Sequence, residues 1–261
     1  MAILERHDTG AVTRLVMNAP ERLNALSDEM LAALQTALNK IADDTTVRMV
    51  ILSGTGKAFC AGHDLKQMIA GRQSEDGGKL YFKDLFDRCA TVMARIQSLP
   101  QPVIAQVHGI ATAAGCQLVA TCDMVVAAQG TRFGVNGVNI GLFCSTPMVA
   151  LSRNIPRKQA FEMLTTGSFI EAERAETLGL VNRVVAPDAL DAEAMALAQT
   201  VAAKLGVAVR VGKEAFYNQI QMNVSDAYAY TGDVMVENML NRDTIEGVAA
   251  FLDKRDPNWE Q

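Results

Sequence analysis

Short apolar runs, each strand-length, alternate with stretches of helical period along the first two thirds of this chain, and that alternation limits what it can fold into. The run VRMVILSG at 47–54 is continuous and short enough for a buried strand. Strands are also expected at 103–107 and 123–128. Between the first two, Phe82, Leu85, Cys89, Val92 and Ile96 mark an amphipathic helix that Pro100 and Pro102 end. Upstream, two runs within 2–17 flank Thr9-Gly10 as a hairpin, and Ser27 caps a helix carrying Met30, Leu34, Leu38 and Ile41. Residues 71–79, GRQSEDGGK, read as a flexible loop. The pattern is that of an α/β layered core. From about 157 onward the period is helical, with one short strand near 181–185. The chain divides into a core over 1–200 and a helical region over 201–261.

With 49% hydrophobic and 20% charged residues, the 261-residue chain can bury a sizeable core. A net charge of -5 argues against a nucleic-acid or anionic-membrane surface. Cysteines at 60, 89, 116, 122 and 144 are odd in number and mostly embedded in apolar runs, which fits reduced thiols. The first residues, MAILERHDTGAVTRLVM, lack the features of a signal or transit peptide, so a cytoplasmic protein is expected.

Gly54-Thr-Gly-Lys57 is not a phosphate loop, because Ile51 and Ala58 stand where that motif needs Gly and Ser or Thr. Ser53 lacks the glycine of a nucleophile elbow, and three widely spaced histidines offer no local metal cluster. Two stretches remain. AFCAGHDLK (58–66) follows a strand and leads into a short helix, with small residues that expose backbone N–H groups at a helix start. IATAAGCQ (110–117) has the same design, with Thr112 as a possible cap and the first free N–H groups on Ala113, Ala114 and Gly115. Two helix starts aimed at one point would make an oxyanion hole.

These stretches, together with HGIATAAGCQLVATCD, FGVNGVNIG, RLNALS and EGVAAFLDKRDPNW in this order, resemble the crotonase superfamily, the enoyl-CoA hydratase/isomerase family. The resemblance implies a spiral of ββα units with a helical trimerisation region, in a homotrimer or a dimer of trimers. It implies an acyl-CoA ligand, with coenzyme A part of the substrate and neither a separate cofactor nor a metal. The oxyanion hole maps onto the backbone N–H groups of His63 and Ala114. Contacts to coenzyme A map onto Ala25, Ala61, Asp64, Leu65 and Lys66, and onto Phe251 and Lys254 reaching over from a neighbouring subunit.

The same alignment puts the two hydratase glutamates on Gln117 and Gly137, so both carboxylates are absent. An amide cannot take a proton from water near neutral pH and glycine has no side chain, and each positioned acid or base typically supplies about 10²- to 10⁴-fold. Residual hydratase or isomerase chemistry is the first reading. Acyl-CoA decarboxylation is a second, with Cys144 where related decarboxylases carry a tyrosine, and a non-catalytic acyl-CoA binding protein is a third. The His63 imidazole is either structural or chemical. Restoring both glutamates is expected to raise hydration, less so if a positive φ at Gly137 strains the new side chain.

Overall fold

The computed structural model describes residues 2–260. Strands β1 (Leu4–Thr9) and β2 (Val12–Met17) form the expected hairpin, antiparallel, with Thr9 opposite Val12. Helix α1 (Asp28–Ala42) begins where the Ser27 side chain accepts from Met30 N–H, and it buries Met30, Leu34, Leu38 and Ile41. Then come β3 (Met49–Gly54), α2 (Leu65–Gly71) and α3 (Lys79–Ser98), which stops before Pro100. The middle of the chain contributes β4 (Val103–Val107), β5 (Ile110–Thr112), α4 (Ala114–Thr121), β6 (Met124–Ala128) and β7 (Arg132–Gly134). A 3-10 turn over Asn136–Ile140 leads to α5 (Pro147–Asn154), α6 (Arg157–Thr166), β8 (Phe169–Glu171), α7 (Ala172–Leu178), β9 (Arg183–Val185) and α8 (Leu190–Ala202). Helices α9 (Gly206–Gln219), α10 (Val224–Met239) and α11 (Arg242–Asp253) follow.

One sheet of six strands runs β1-β2-β3-β4-β6-β9, parallel throughout after the first hairpin. A second sheet, β5-β7-β8, lies apart from it. A repeated unit links the two: β4 is followed by β5 and α4, and β6 by β7, the 3-10 turn and α5. After β3 the second-layer strand shrinks to a bridge, Cys60 paired with Ala111 of β5, before α2 begins. These are the ββα turns of a spiral. Along β3 the side chains divide by period two. Met49 and Ile51 pack with Leu190, Ala194 and Leu197 of α8, while Val50 and Leu52 join the core built with α1 and α3. Cover on both faces is why the run at 47–54 is continuous.

Helix α9 is held against the spiral by a buried polar cluster. Lys213 Nζ donates to Ile96 O (2.8 Å), Gln101 O (3.1 Å) and Asp123 Oδ2 (2.7 Å), and Tyr217 OH donates to Asp123 Oδ1 (2.8 Å). The same carboxylate accepts Val103 N–H at the start of β4 (2.6 Å). Burial pushes the Lys213 ammonium below its usual range, and Asp123 pulls it back. Beyond α9, helices α10 and α11 leave Met235, Val236, Ile245, Phe251 and Leu252 exposed.

Removing one partner of a buried, hydrogen-bonded ion pair leaves the other charge unpaired. Lys213→Ala is expected to lower the unfolding free energy by about 3–5 kcal/mol, and Tyr217→Phe by about 1 kcal/mol, in urea denaturation.

Candidate functional site

The segment 58–64 is sewn between two neighbours. On one side Leu26 N–H donates to Gly62 O (2.7 Å) and Ala61 N–H to Leu23 O (3.0 Å). On the other, Cys60 N–H donates to Ile110 O (3.2 Å) and Thr112 N–H to Cys60 O (3.0 Å). Asn24, fully buried with φ 52°, braces the base: its Oδ1 accepts Ala19 N–H (2.9 Å) and its Nδ2 donates to Thr55 O and Ala58 O (2.8 Å each). Asn24 lies in RLNALS, yet its bracing role is invisible without the three backbone partners it reaches.

Two glycines let the His63 segment and the start of α4 approach each other. A Cβ on Gly115 would lie 2.2 Å from Cys60 O. Gly62, at φ +90°, would place a Cβ 3.0 Å from Ala113 Cβ and 3.3 Å from Ala114 N. The stretch of small residues therefore serves close backbone packing, and the packing brings the main chain just before His63 close to Ala114 N. Among the described residues, neither His63 N–H nor Ala114 N–H has an acceptor.

The start of α4 differs from the sequence expectation. Thr112 does not cap it: Thr112 closes β5, and its hydroxyl donates to Asn136 Oδ1 (2.5 Å). Ala113 is the N-cap, at φ 50° and ψ -120°, and its N–H is spent on Gly134 O (2.9 Å), so the free groups begin at Ala114. At the start of α5, Thr146 precedes Pro147 without a side-chain capping bond, and Ser145 Oγ donates to Phe143 O (3.4 Å). Pro147 at the first helical position lacks an N–H that would need a cap.

His63 and Ala114 both line a cavity of about 320 Å³, whose apolar side is formed by Leu65, Met68, Phe86, Ile140, Leu142 and Phe143. Ala61, Gly137 and Cys144 also line it. Phe86 was not singled out by sequence because it lies off the buried stripe of α3, and that displacement is the signal of a residue facing elsewhere. The His63 ring packs edge-on against Phe86 at 5.6 Å between centroids, with Nδ1 3.4 Å from Leu26 O and Nε2 buried without a partner. Burial lowers its pKa, so the ring is neutral near pH 7. Burial pushes the Cys144 thiol up, a hydrogen bond from the Gly137 backbone acts the other way, and the thiol stays protonated.

Gln117 does not line this cavity. It is 5% exposed, and its Oε1 is buried without a partner. Gly137 is closed off differently. Its φ is not positive, so the strain considered from sequence does not arise; instead a Cβ there would meet Leu142 O at 2.2 Å and Cys144 Sγ at 2.9 Å. Of the remaining candidates, Ala25 is buried, and Asp64 caps α2 by accepting from Lys66 N–H (2.9 Å) and Gln67 N–H (3.3 Å). Lys66 is exposed. Phe251, 81% exposed, and Lys254, the αL residue ending α11, are both absent from the cavity of their own chain.

A profile of the enoyl-CoA hydratase/isomerase family matches residues 7–261. Enoyl-CoA hydratase domain-containing protein 3, mitochondrial, of Xenopus laevis is 45% identical over 95% of this chain and 83% of its own length. The crystal structure of an enoyl-CoA hydratase from Mycobacterium smegmatis superposes with a TM-score of 0.95 at 54% identity, covering 99% of each chain. That of human enoyl coenzyme A hydratase domain-containing protein 3 superposes at 0.94 with 42% identity, covering 98% of this chain and 100% of that one. The curated relatives from frog, human and rat are all named mitochondrial, which overturns the expectation of a cytoplasmic protein. Matched in sequence along almost its whole length and built as the same spiral, this chain belongs to the enoyl-CoA hydratase/isomerase family of the crotonase superfamily.

Proposed function

We propose that the chain binds an acyl-CoA thioester and holds the thioester oxygen on the N–H groups of His63 and Ala114. The observation that supports this reading is two main-chain donors without an acceptor among the described residues, on two residues that line one apolar cavity and in segments that Gly62 and Gly115 allow to approach closely. Fixed donors in a dry site stabilise the negative charge that develops on such an oxygen when an enolate forms, without any reorganisation at the moment of reaction. Ala61 and Leu65 line the cavity, and the coenzyme A arm would enter past them, beside Ala25, Asp64 and Lys66. Phe251 and Lys254 would serve the cavity of a neighbouring copy in a homotrimer or dimer of trimers, and the exposed apolar residues of α10 and α11 support that assembly.

Hydratase chemistry, the first reading, would proceed without carboxylates at Gln117 and Gly137. A second reading is an enolate-forming reaction with no carboxylate base, such as decarboxylation of a malonyl-type thioester. Loss of carbon dioxide would leave its electron pair on the enolate held by the two N–H groups, and Cys144 would return a proton to the α-carbon before regaining one from water. A protonated thiol on the cavity wall favours it.

Calorimetry is expected to show binding of crotonyl-CoA and butyryl-CoA and no binding of the corresponding free acids; equal affinity for acid and thioester would defeat the reading. Light scattering is expected to give a multiple of three times the 28.1 kDa chain mass. Gln117→Glu would bury a carboxylate whose folded pKa lies above its unfolded value of about 4.3, so the variant should match the parent near pH 4 and lose stability as pH rises. The loss should reach about 1–3 kcal/mol by pH 8 in thermal melts. Because Gly137 abuts Leu142 O, adding Gly137→Glu is no longer expected to restore hydration.

A further inference from the structure

A third donor stands on the cavity wall, and it is a side chain. Asn136 opens the 3-10 turn immediately before Gly137 and lines the same cavity as His63 and Ala114. Its position is fixed twice over. The backbone that carries it leaves β7, which pairs in parallel with β5 so that Gly134 lies opposite Thr112, and Gly134 O accepts Ala113 N–H. The side chain is fixed by Thr112 Oγ1, which donates to Asn136 Oδ1 at 2.5 Å. A carboxamide is planar, so holding its oxygen on Thr112 also sets the direction of its nitrogen. That Nδ2 has no acceptor among the described residues and is not sealed away from solvent. Thr112 is two residues from Ala114, which puts this amide beside the proposed thioester site.

A hydrocarbon acyl chain filling the cavity would strip solvent from this donor and leave it unpaired, whereas an acyl chain with a suitably placed oxygen would pair with it. Among the described residues no lysine or arginine lines the cavity, so the environment favours a neutral oxygen over a carboxylate. We propose that Asn136 is a specificity residue that selects acyl-CoA thioesters carrying a hydroxyl or carbonyl oxygen close to the thioester, at C3, with Thr112 as its positioning residue. The proposal rests on the reading that the thioester oxygen sits on His63 and Ala114.

The test is calorimetric titration of the full chain with 3-hydroxybutyryl-CoA, butyryl-CoA and methylmalonyl-CoA. The unmodified protein should prefer 3-hydroxybutyryl-CoA to butyryl-CoA by at least about tenfold, the effect of one well-placed hydrogen bond. Asn136→Asp keeps an oxygen for Thr112 but turns the donor into an acceptor, and should bring the ratio to about one or below. Thr112→Val, which frees the amide to rotate, should reduce the ratio in part, and it serves as the second variant if Asn136→Asp fails to fold. Equal binding of the two thioesters by the unmodified protein, an unchanged ratio in Asn136→Asp, or a preference for methylmalonyl-CoA would each overturn the proposal while leaving the acyl-CoA reading intact. Binding of none of the three would overturn that reading, and the proposal with it.

Discussion

Two stretches of main chain, 60–63 and 112–115, come closer together than side chains would normally permit, and the site follows from that approach. Gly115 faces the Cys60 carbonyl and Gly62 faces Ala113, so each glycine is required by its neighbour rather than by its own turn alone. The approach is supported from behind by hydrogen bonds from Cys60 and Thr112 and, at the base, by the buried Asn24 amide. Its product is a pair of N–H groups with no acceptor among the described residues. Unsatisfied donors at a partly buried site are costly, and a protein that retains them has a ligand in prospect.

The cavity beside those donors is electrically quiet. Its histidine is neutral, its thiol is protonated, and among the described residues neither a carboxylate nor a lysine or arginine lines it. Chemistry here would have to come from fixed dipoles more than from proton transfer. Family membership and fold are therefore better grounds for the class of ligand than for the reaction performed on it.

Much of the architecture was legible from residue periodicity. The continuous run at 47–54 reads as buried because both sheet faces are covered, and Ser27 with Met30, Leu34, Leu38 and Ile41 announces α1 at its true start. The second layer was not legible, since it consists of three-residue strands and the single bridge at Cys60, too short for any period to register. The repeat of the spiral is hidden for the same reason. Of the residues that motif resemblance singled out, His63, Ala114, Gly137 and Cys144 line the cavity and Gln117 does not. Resemblance could not reveal that Ala113 takes a positive φ and spends its N–H on Gly134, or that Thr112 reaches across 24 residues to Asn136. Those are facts about strand pairing, which local sequence does not encode.

The packing of Leu142 and Cys144 against Gly137 also bears on how such a site can change over generations. A turn that has settled onto a glycine acts as a ratchet. Any side chain placed at that position arrives in occupied space, so the substitution is harmful until the 142–144 turn has itself been rebuilt. Rebuilding the turn first brings no benefit while glycine remains. Where a glycine is held in this way, single substitutions at its position run into main chain, and new activities at this cavity have to be found among the other residues that line it.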